Sequence, residues 1–390
     1  MSPNTTNMLE VNELDTKVET YQFEKYNSEF NSQIVELQKH LWSQDAGLNK
    51  SYLEWKYDNN PYVDDTLIYT AFFDDQMVGM VGMYGAKWQF GDPAQDLVGL
   101  CVGDIVIHPN HRNRGLFSKL MSFALKDLIK TNHTYVFDFS ASREVALSLL
   151  MTGWRNIVFL QTAYWYRPQM SKLNRLWTYA RKFLRCPPDR QVHPFDALDR
   201  HHLIKSSHSD LRVAIERAPR PGAMAELAER VVNDGRIRHL RDTQFFSWRF
   251  QNPLSEFRFL FFGDVPLDGY LVLQAPLWSH GNKVIVSVVD WEFRNVQVWA
   301  DLLEAAICLG NFDKVTISCA TLSDQGKAIL KRIGFNFVEK SGGLTRDIHQ
   351  PTILTRSVRK EMAPTDWALG NRSLLDLTNW DLRPIYSDNY

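Results

Sequence analysis

The strongest constraint on this chain is an internal repeat too long to be a stacked solenoid unit. "SYLEWKYDNNPYVDDTLIYTAFF" in the first half is answered by "QFFSWRFQNPLSEFRFLFF" in the second. Trp55-Lys56-Tyr57 matches Trp248-Arg249-Phe250, and Asn60-Pro61 matches Asn252-Pro253. Further on, "QMVGMVGM" matches "PLDGYLVL", Asp104 in "GDIVIHP" matches Asp290 in "VDWEFRN", and Gly153 matches Gly334. The matches keep their order, and the offset shrinks along the chain as small loop deletions would make it. Such a pattern marks a duplicated α/β unit. A length of 390 residues suits two domains. The 44% hydrophobic and 13% aromatic content supplies two cores.

Within the first unit, Phe30, Ile34, Leu37 and Leu41 recur at helical spacing, and a second helix is expected around 50–57. "TLIYTAFF" and "MVGMVGMYGAKWQF" read as a hairpin. "VGLCVGDIVIHP" is a continuous apolar run, the mark of a strand buried on both faces. A helix to about Lys130, the strand "TYVFDFS", the helix "REVALSLLMTGW" and a closing strand in "NIVFLQTAYWYRP" complete it. The expected organisation is an arm over 1–17, a first domain over 18–167, a linker with an amphipathic helix over 168–210, a second domain over 211–345 and an extension over 346–390. The aromatic segments at Trp55 and Trp248 are placed to join the two copies.

The stretch "HPNHRNRGLFSKLMSFAL" passes from a basic loop directly into a helix. Positive charge at a helix start opposes the helix dipole, and a cap would ordinarily be Asp or Ser. Arg112, Arg114 and Gly115 suit an anion there instead. Successive N–H groups form a concave anion site, glycine admits a phosphate to the backbone, and arginine adds charge-assisted hydrogen bonds. The second copy, "RNVQVWADLLEAAI", has no such glycine, so the anion site is expected in the first copy alone.

A buried strand, then Arg112-Asn113-Arg114-Gly115-Leu116-Phe117, then a helix resembles the pyrophosphate motif of the Gcn5-related N-acetyltransferases (GNAT). The usual motif is Gln/Arg-x-x-Gly-x-Gly/Ala, and Phe117 departs from it. The resemblance covers about 18–167, with a weaker copy over about 211–340. It implies an α/β fold of two tandem GNAT-like domains, each a mixed central sheet flanked by helices, the second degenerate. It implies acetyl-CoA or another acyl-CoA as co-substrate. The pantetheine arm would lie along Ile105, Val106 and Ile107, and the diphosphate on the loop from Arg112 through Ser118. The implied reaction moves an acyl group to an amine of a small molecule or sugar, with surface polysaccharide synthesis as one setting. Many members carry a tyrosine before the Gly-aromatic pair to protonate sulfur; here that place holds Leu149, and an asparagine often found earlier is Ser142.

Asp104 is the first candidate base, since a carboxylate in an apolar strand is costly unless used or paired; the other reading is a structural aspartate, which its recurrence as Asp290 favours. His108, His111 and Asp138 are further candidates. Two other functions stay open: an aminoacyl-tRNA-dependent peptide-bridge transferase, which the phosphate motif argues against, and a non-catalytic acyl-CoA-binding module, which Leu149 favours. No metal-ligand spacing occurs, and a net charge of -1 gives no global basic excess for nucleic acid. Cys101, Cys308 and Cys319 sit in apolar runs and read, with Cys186, as reduced thiols. The polar N-terminus lacks a signal-peptide core, which points to the cytoplasm. The basic amphipathic stretch 172–185 reads either as a peripheral membrane contact or as a helix covering a domain.

Overall fold

Apolar segments joined by tight turns set the strand order of each half. The computed structural model describes residues 20–168, 193–205, 212–231, 234–277, 283–337, 352–359 and 367–387. In the first half, β1 (Gln22–Lys25) leads to α1 (Asn31–Gln38) and α2 (Ala46–Leu53), which continues as a π-turn over Glu54–Asp58. β2 (Leu67–Phe73), β3 (Gln76–Phe90) and β4 (Gln95–Ile107) follow, each antiparallel to its neighbour. The β2–β3 turn is Asp74-Asp75, both left-handed at φ 48° and 62°, the backbone that a two-residue hairpin needs. A parallel neighbour requires a crossover; α3 (Leu116–Leu128) supplies it, and β5 (Tyr135–Ala141) runs parallel to β4. α4 (Arg143–Met151) and β6 (Arg155–Phe159) come next.

The strand expected to close this unit does something else. β7 (Thr162–Tyr166) is a separate strand, and it leaves the first sheet for the second. The second half runs through β8 (Leu203–Lys205), β9 (Arg212–Glu216), α5 (Pro221–Arg230), β10 (Arg238–His239), α6 (Thr243–Arg249), β11 (Ser255–Phe262), β12 (Gly269–Pro276) and β13 (Ile285–Phe293). It continues through α7 (Val296–Leu309), β14 (Lys314–Ser318), α8 (Asp324–Ile333) and β15 (Asn336–Phe337). β7 lies between β14 and β15. In return β16 (Thr352–Ser357), within the stretch expected to be an extension, lies in the first sheet between β5 and β6. Each exchanged strand pairs with two strands of the other sheet, which keeps its ladder hydrogen bonds and ties the halves together.

Three apolar clusters layer the molecule. One face of the first sheet packs on α3 and α4, through Leu116, Leu120, Leu128 and Leu149. One face of the second sheet packs on α7 and α8, through Trp299, Leu303 and Leu330. The largest cluster joins the opposite faces of both sheets with α1, α2, α5, α6 and the C-terminal Trp380, Ile385 and Tyr386. At its centre Trp55 and Trp248, repeat equivalents, stack at 5.3 Å, and each indole N–H donates to the other's backbone carbonyl at 2.9 Å. The arm 1–17 and the amphipathic stretch 172–185 lie outside the described residues. Cys101 and Cys319 are buried, but Cys308 is exposed, because it falls on the solvent side of α7. No helix among the described residues is long and apolar enough to cross a membrane.

A fragment ending at residue 167 would carry β7 without its sheet and lack β16 in its own. It is expected to aggregate or unfold without cooperativity in calorimetry, whereas the whole chain melts in one transition. Trp55→Ala in the whole chain should cost about 3–5 kcal/mol, the usual scale for truncating a buried tryptophan.

Candidate active site

β4 and β5 form a ladder only at Leu100/Val136 and Cys101/Phe137. Beyond these pairs the strands part. A groove of about 520 Å³ lies at the gap, lined by Ile105, Val106 and Ile107 of β4 and by Arg112, Asn113, Gly115, Leu116, Phe117 and Ser118 of the following loop and helix. Of the sequence-predicted binding residues, Arg114 alone is not among the lining residues. Gly115 is the N-cap of α3, left-handed at φ 70°, with no side-chain cap bond. The first N–H groups of α3 therefore have no capping side chain of their own and face the groove's end. Asn113 is also left-handed at φ 61°, and the Arg112 Nε–H donates to the Ile107 carbonyl at 3.0 Å. The second copy differs as expected: Asn295 caps α7 with its own side chain, accepting from the Gln297 N–H at 2.8 Å.

Sequence reasoning missed part of this groove. His40 and Leu41, just past α1, form one wall, and Glu144, Val145 and Ser148 of α4 form another. Leu41 continues the apolar spacing of α1 and so reads as core in sequence, yet it is 36% exposed here. Ser142 lines the groove and caps α4, accepting from the Val145 N–H at 3.3 Å. Leu149, at the family's tyrosine position, is fully buried among core side chains. Asp138 is buried and accepts from the Ser140 N–H at 2.9 Å.

Asp104 sits where β4 slips register against β3, and its own backbone is left-handed at φ 49°. An aspartate there is strained by about 1–3 kcal/mol, which its surroundings must offset. Its Oδ1 accepts from the Trp42 indole N–H at 2.9 Å and the Lys56 ammonium at 3.2 Å. Its Oδ2 accepts from the Tyr57 hydroxyl at 2.7 Å. Tyr57 reaches it only because residue 82 is glycine: a Cβ there would lie 1.8 Å from the Tyr57 hydroxyl oxygen. The Asp104 side chain is wholly buried and that of Lys56 is 1% exposed. The expected carboxylate base does not match this environment, because a general base must reach its proton, and this carboxylate is enclosed by donors and paired with a cation. Lys56 and Tyr57 stood in the repeat itself; a lysine inside an apolar repeat is a signal for a buried anionic partner.

The repeat equivalent, Asp290, is also fully buried. It pairs with Arg241 at 3.1 Å, accepts from the Tyr270 hydroxyl at 2.8 Å and lies 3.7 Å from Arg383. Burial raises its pKa, against the opposing pull of Arg241 and Arg383. A buried carboxylate at the strand irregularity is thus common to both copies, including the one without an anion loop.

The first sheet thus combines a parallel pair that splays, β4 and β5, with a helix start that has no side-chain cap, at α3. The chain matches, over residues 22–148, the model of the acetyltransferase (GNAT) domain. It is similar in structure to a GCN5-related N-acetyltransferase from Anabaena variabilis, with TM-score 0.56 and 13% identity over 87% of this chain and 73% of that one. It is similar to a probable N-acyltransferase from Enterococcus faecalis, with TM-score 0.55 and 12% identity over 87% and 73%. A GCN5-related N-acetyltransferase from Kribbella flavida gives TM-score 0.51 and 12% identity over 87% and 71%. No curated protein matches the chain. Among the described residues no cluster has the makings of a metal site.

Asp104→Asn leaves the Lys56 ammonium buried without its counter-charge. It should lower stability by about 3–5 kcal/mol, the scale for removing one partner of a buried pair. Adding Lys56→Met should restore much of the loss, read from denaturant melts of the single and double variants.

Proposed function

We propose that the first domain transfers an acyl group from acyl-CoA to an amine, with acetyl-CoA as the ordinary donor. The observation that carries this is the groove, where a strand edge without a ladder partner runs into a helix start that has no cap of its own. The edge at Ile105, Val106 and Ile107 suits the amides of a pantetheine arm, which would add to β4 as a further strand. Gly115 and the amides after it suit the diphosphate. In the reaction the amine lone pair attacks the thioester carbonyl, the C–S bond breaks and the thiolate leaves with its electron pair. The amine proton passes to water or another acceptor, because neither Leu149 nor the enclosed Asp104 is placed to exchange protons with the groove.

On this reading Asp104 is a positioning residue. Its ion pair with Lys56 and its bond from Tyr57 hold the left-handed turn that precedes the groove-lining stretch of β4. The acceptor is read as an amine on a small molecule or sugar. Surface polysaccharide synthesis rests on family analogy alone, and a cytoplasmic setting on the cysteine pattern and the polar N-terminal stretch. The rival reading, a module that binds acyl-CoA without turnover, draws its support from Leu149. Peripheral membrane contact through 172–185 stays a proposal about residues outside the described structure.

Titration calorimetry of the whole chain with coenzyme A should give one site. Gly115→Glu with Arg112→Ala should weaken binding by about 100-fold or more, or about 2.7 kcal/mol. Two equivalent sites, or undiminished affinity, would overturn the assignment. Thioester consumption with a panel of amines separates transferase from binding module: binding without release of free thiol on any amine supports the module.

A further inference from the structure

Two histidines, His40 and His111, line the mouth of the groove, and a third, His108, packs between them. His40 lies in the turn after α1, His108 directly after β4, and His111 in the short turn Pro109–His111. The His40 and His108 ring centroids are 5.0 Å apart, and those of His108 and His111 are 5.9 Å apart. His40 and His111 line the groove together with Arg112 and Gly115. His111 is fixed from behind: its Nδ1 is 3.1 Å from the Tyr21 hydroxyl, and the Tyr21 and Phe73 rings pack on it. His108 accepts the Asn110 N–H on its Nδ1 at 3.3 Å.

We propose that His40, His108 and His111 form a proton-charged rim for the donor's diphosphate, so that the donor binds with uptake of protons. The inference rests on reading the groove as the acyl-CoA site and deepens it by naming what tunes that site. The chemistry follows from crowding. Three imidazoles and the Arg112 guanidinium share one small mouth, so each added proton is opposed by its neighbours. Burial, then His40, His111 and Arg112, already lower the pKa of His108 in the empty groove. The other charges around the rim are few. Lys39 beside His40 is paired with Glu36 at 2.6 Å, and Glu144 faces from the α4 wall. A bound diphosphate replaces mutual repulsion with attraction, which favours the protonated form of the imidazoles it faces. Groups whose pKa rises on binding take up protons between the free and bound values, so affinity grows as pH falls through that window.

The test uses dephospho-coenzyme A. It keeps the diphosphate but lacks the monoester, which itself titrates near about pH 6. Calorimetry at pH 6.5, repeated in buffers of different ionisation enthalpy, counts the protons exchanged. The whole chain should take up as much as about 0.5 proton per ligand, and affinity should rise about 3–10-fold from pH 7.5 to 6.0, as a tenfold strengthening of one facing imidazole's proton affinity predicts. His40→Gln/His108→Gln/His111→Gln should bind without uptake and change affinity by less than about 2-fold over the same range. His40→Gln alone alters an exposed turn side chain, so its folding is not at issue; it should reduce the proton count. Binding without proton uptake in the parent chain, or unchanged uptake in the triple variant, overturns the rim. Absence of binding by both dephospho-coenzyme A and coenzyme A overturns the groove reading and the rim with it.

Discussion

The exchange of β7 and β16 between the two sheets is the constraint on which the rest depends. β5 has one edge toward β4 and one toward β16. Toward β4 it pairs at only two positions, while toward β16 its ladder runs from Tyr135 to Ala141. The strand that leads into the α4 wall of the groove is therefore held from its outer edge, by a segment that follows the second half in sequence. A splayed strand pair is unstable by itself, because it gives up ladder hydrogen bonds. Here the loss on one edge of β5 is offset by a full ladder on the other. The first sheet is thus completed by a strand that follows the whole second sheet in the chain.

The Trp55–Trp248 pair has the same logic at the side-chain level. Two residues that match in the sequence repeat meet face to face, and each satisfies the other with the same bond. Arg249 extends the seam, lying over the Trp55 ring at 5.3 Å while its guanidinium donates to the Ile385 and Ser387 carbonyls. The C-terminal segment is thereby built into the layer between the sheets. Tyr84 of β3 also holds it, donating to the Tyr386 carbonyl at 3.2 Å.

Much of this was legible in the sequence, and what was not has definite physical causes. The repeat, the element order and the loop around Gly115 depend on local patterns: apolar periodicity, turn residues and a helix start without an ordinary cap. The strand at 162–166 was legible as a strand but not by its sheet, because pattern fixes which face is apolar and says nothing of which copy supplies the ladder. His40 and Leu41 escaped notice because a residue at the end of an amphipathic helix looks like core until its neighbour strand splays. Asp104 was conspicuous as a carboxylate in an apolar run. Its partners are scattered over Trp42, Lys56 and Tyr57, and only the folded chain shows that they enclose it.

The two buried carboxylates show how the duplicated unit diverged. By position Lys56 corresponds to Arg249 and Tyr57 to Phe250. In the first copy Lys56 neutralises Asp104 and Tyr57 donates to it. In the second copy Phe250 has no hydroxyl to give, and Arg249 is committed to the C-terminal carbonyls. A buried carboxylate left with neither would be strongly destabilising. Asp290 instead takes its cations from Arg241 and Arg383, and its hydroxyl from Tyr270. The same Arg383 pairs with Asp381, whose pKa it holds well below the usual carboxylate range although burial opposes this. Arg241 before α6, Arg383 of the C-terminal segment and Tyr270 of β12 thus do for Asp290 what a lysine and a tyrosine on one helical turn do for Asp104. What both copies retained is an aspartate at the strand irregularity, with its charge matched inside the fold. In the first copy that irregularity leads into the groove-lining stretch Ile105, Val106 and Ile107, and the enclosed ion pair lies beside it.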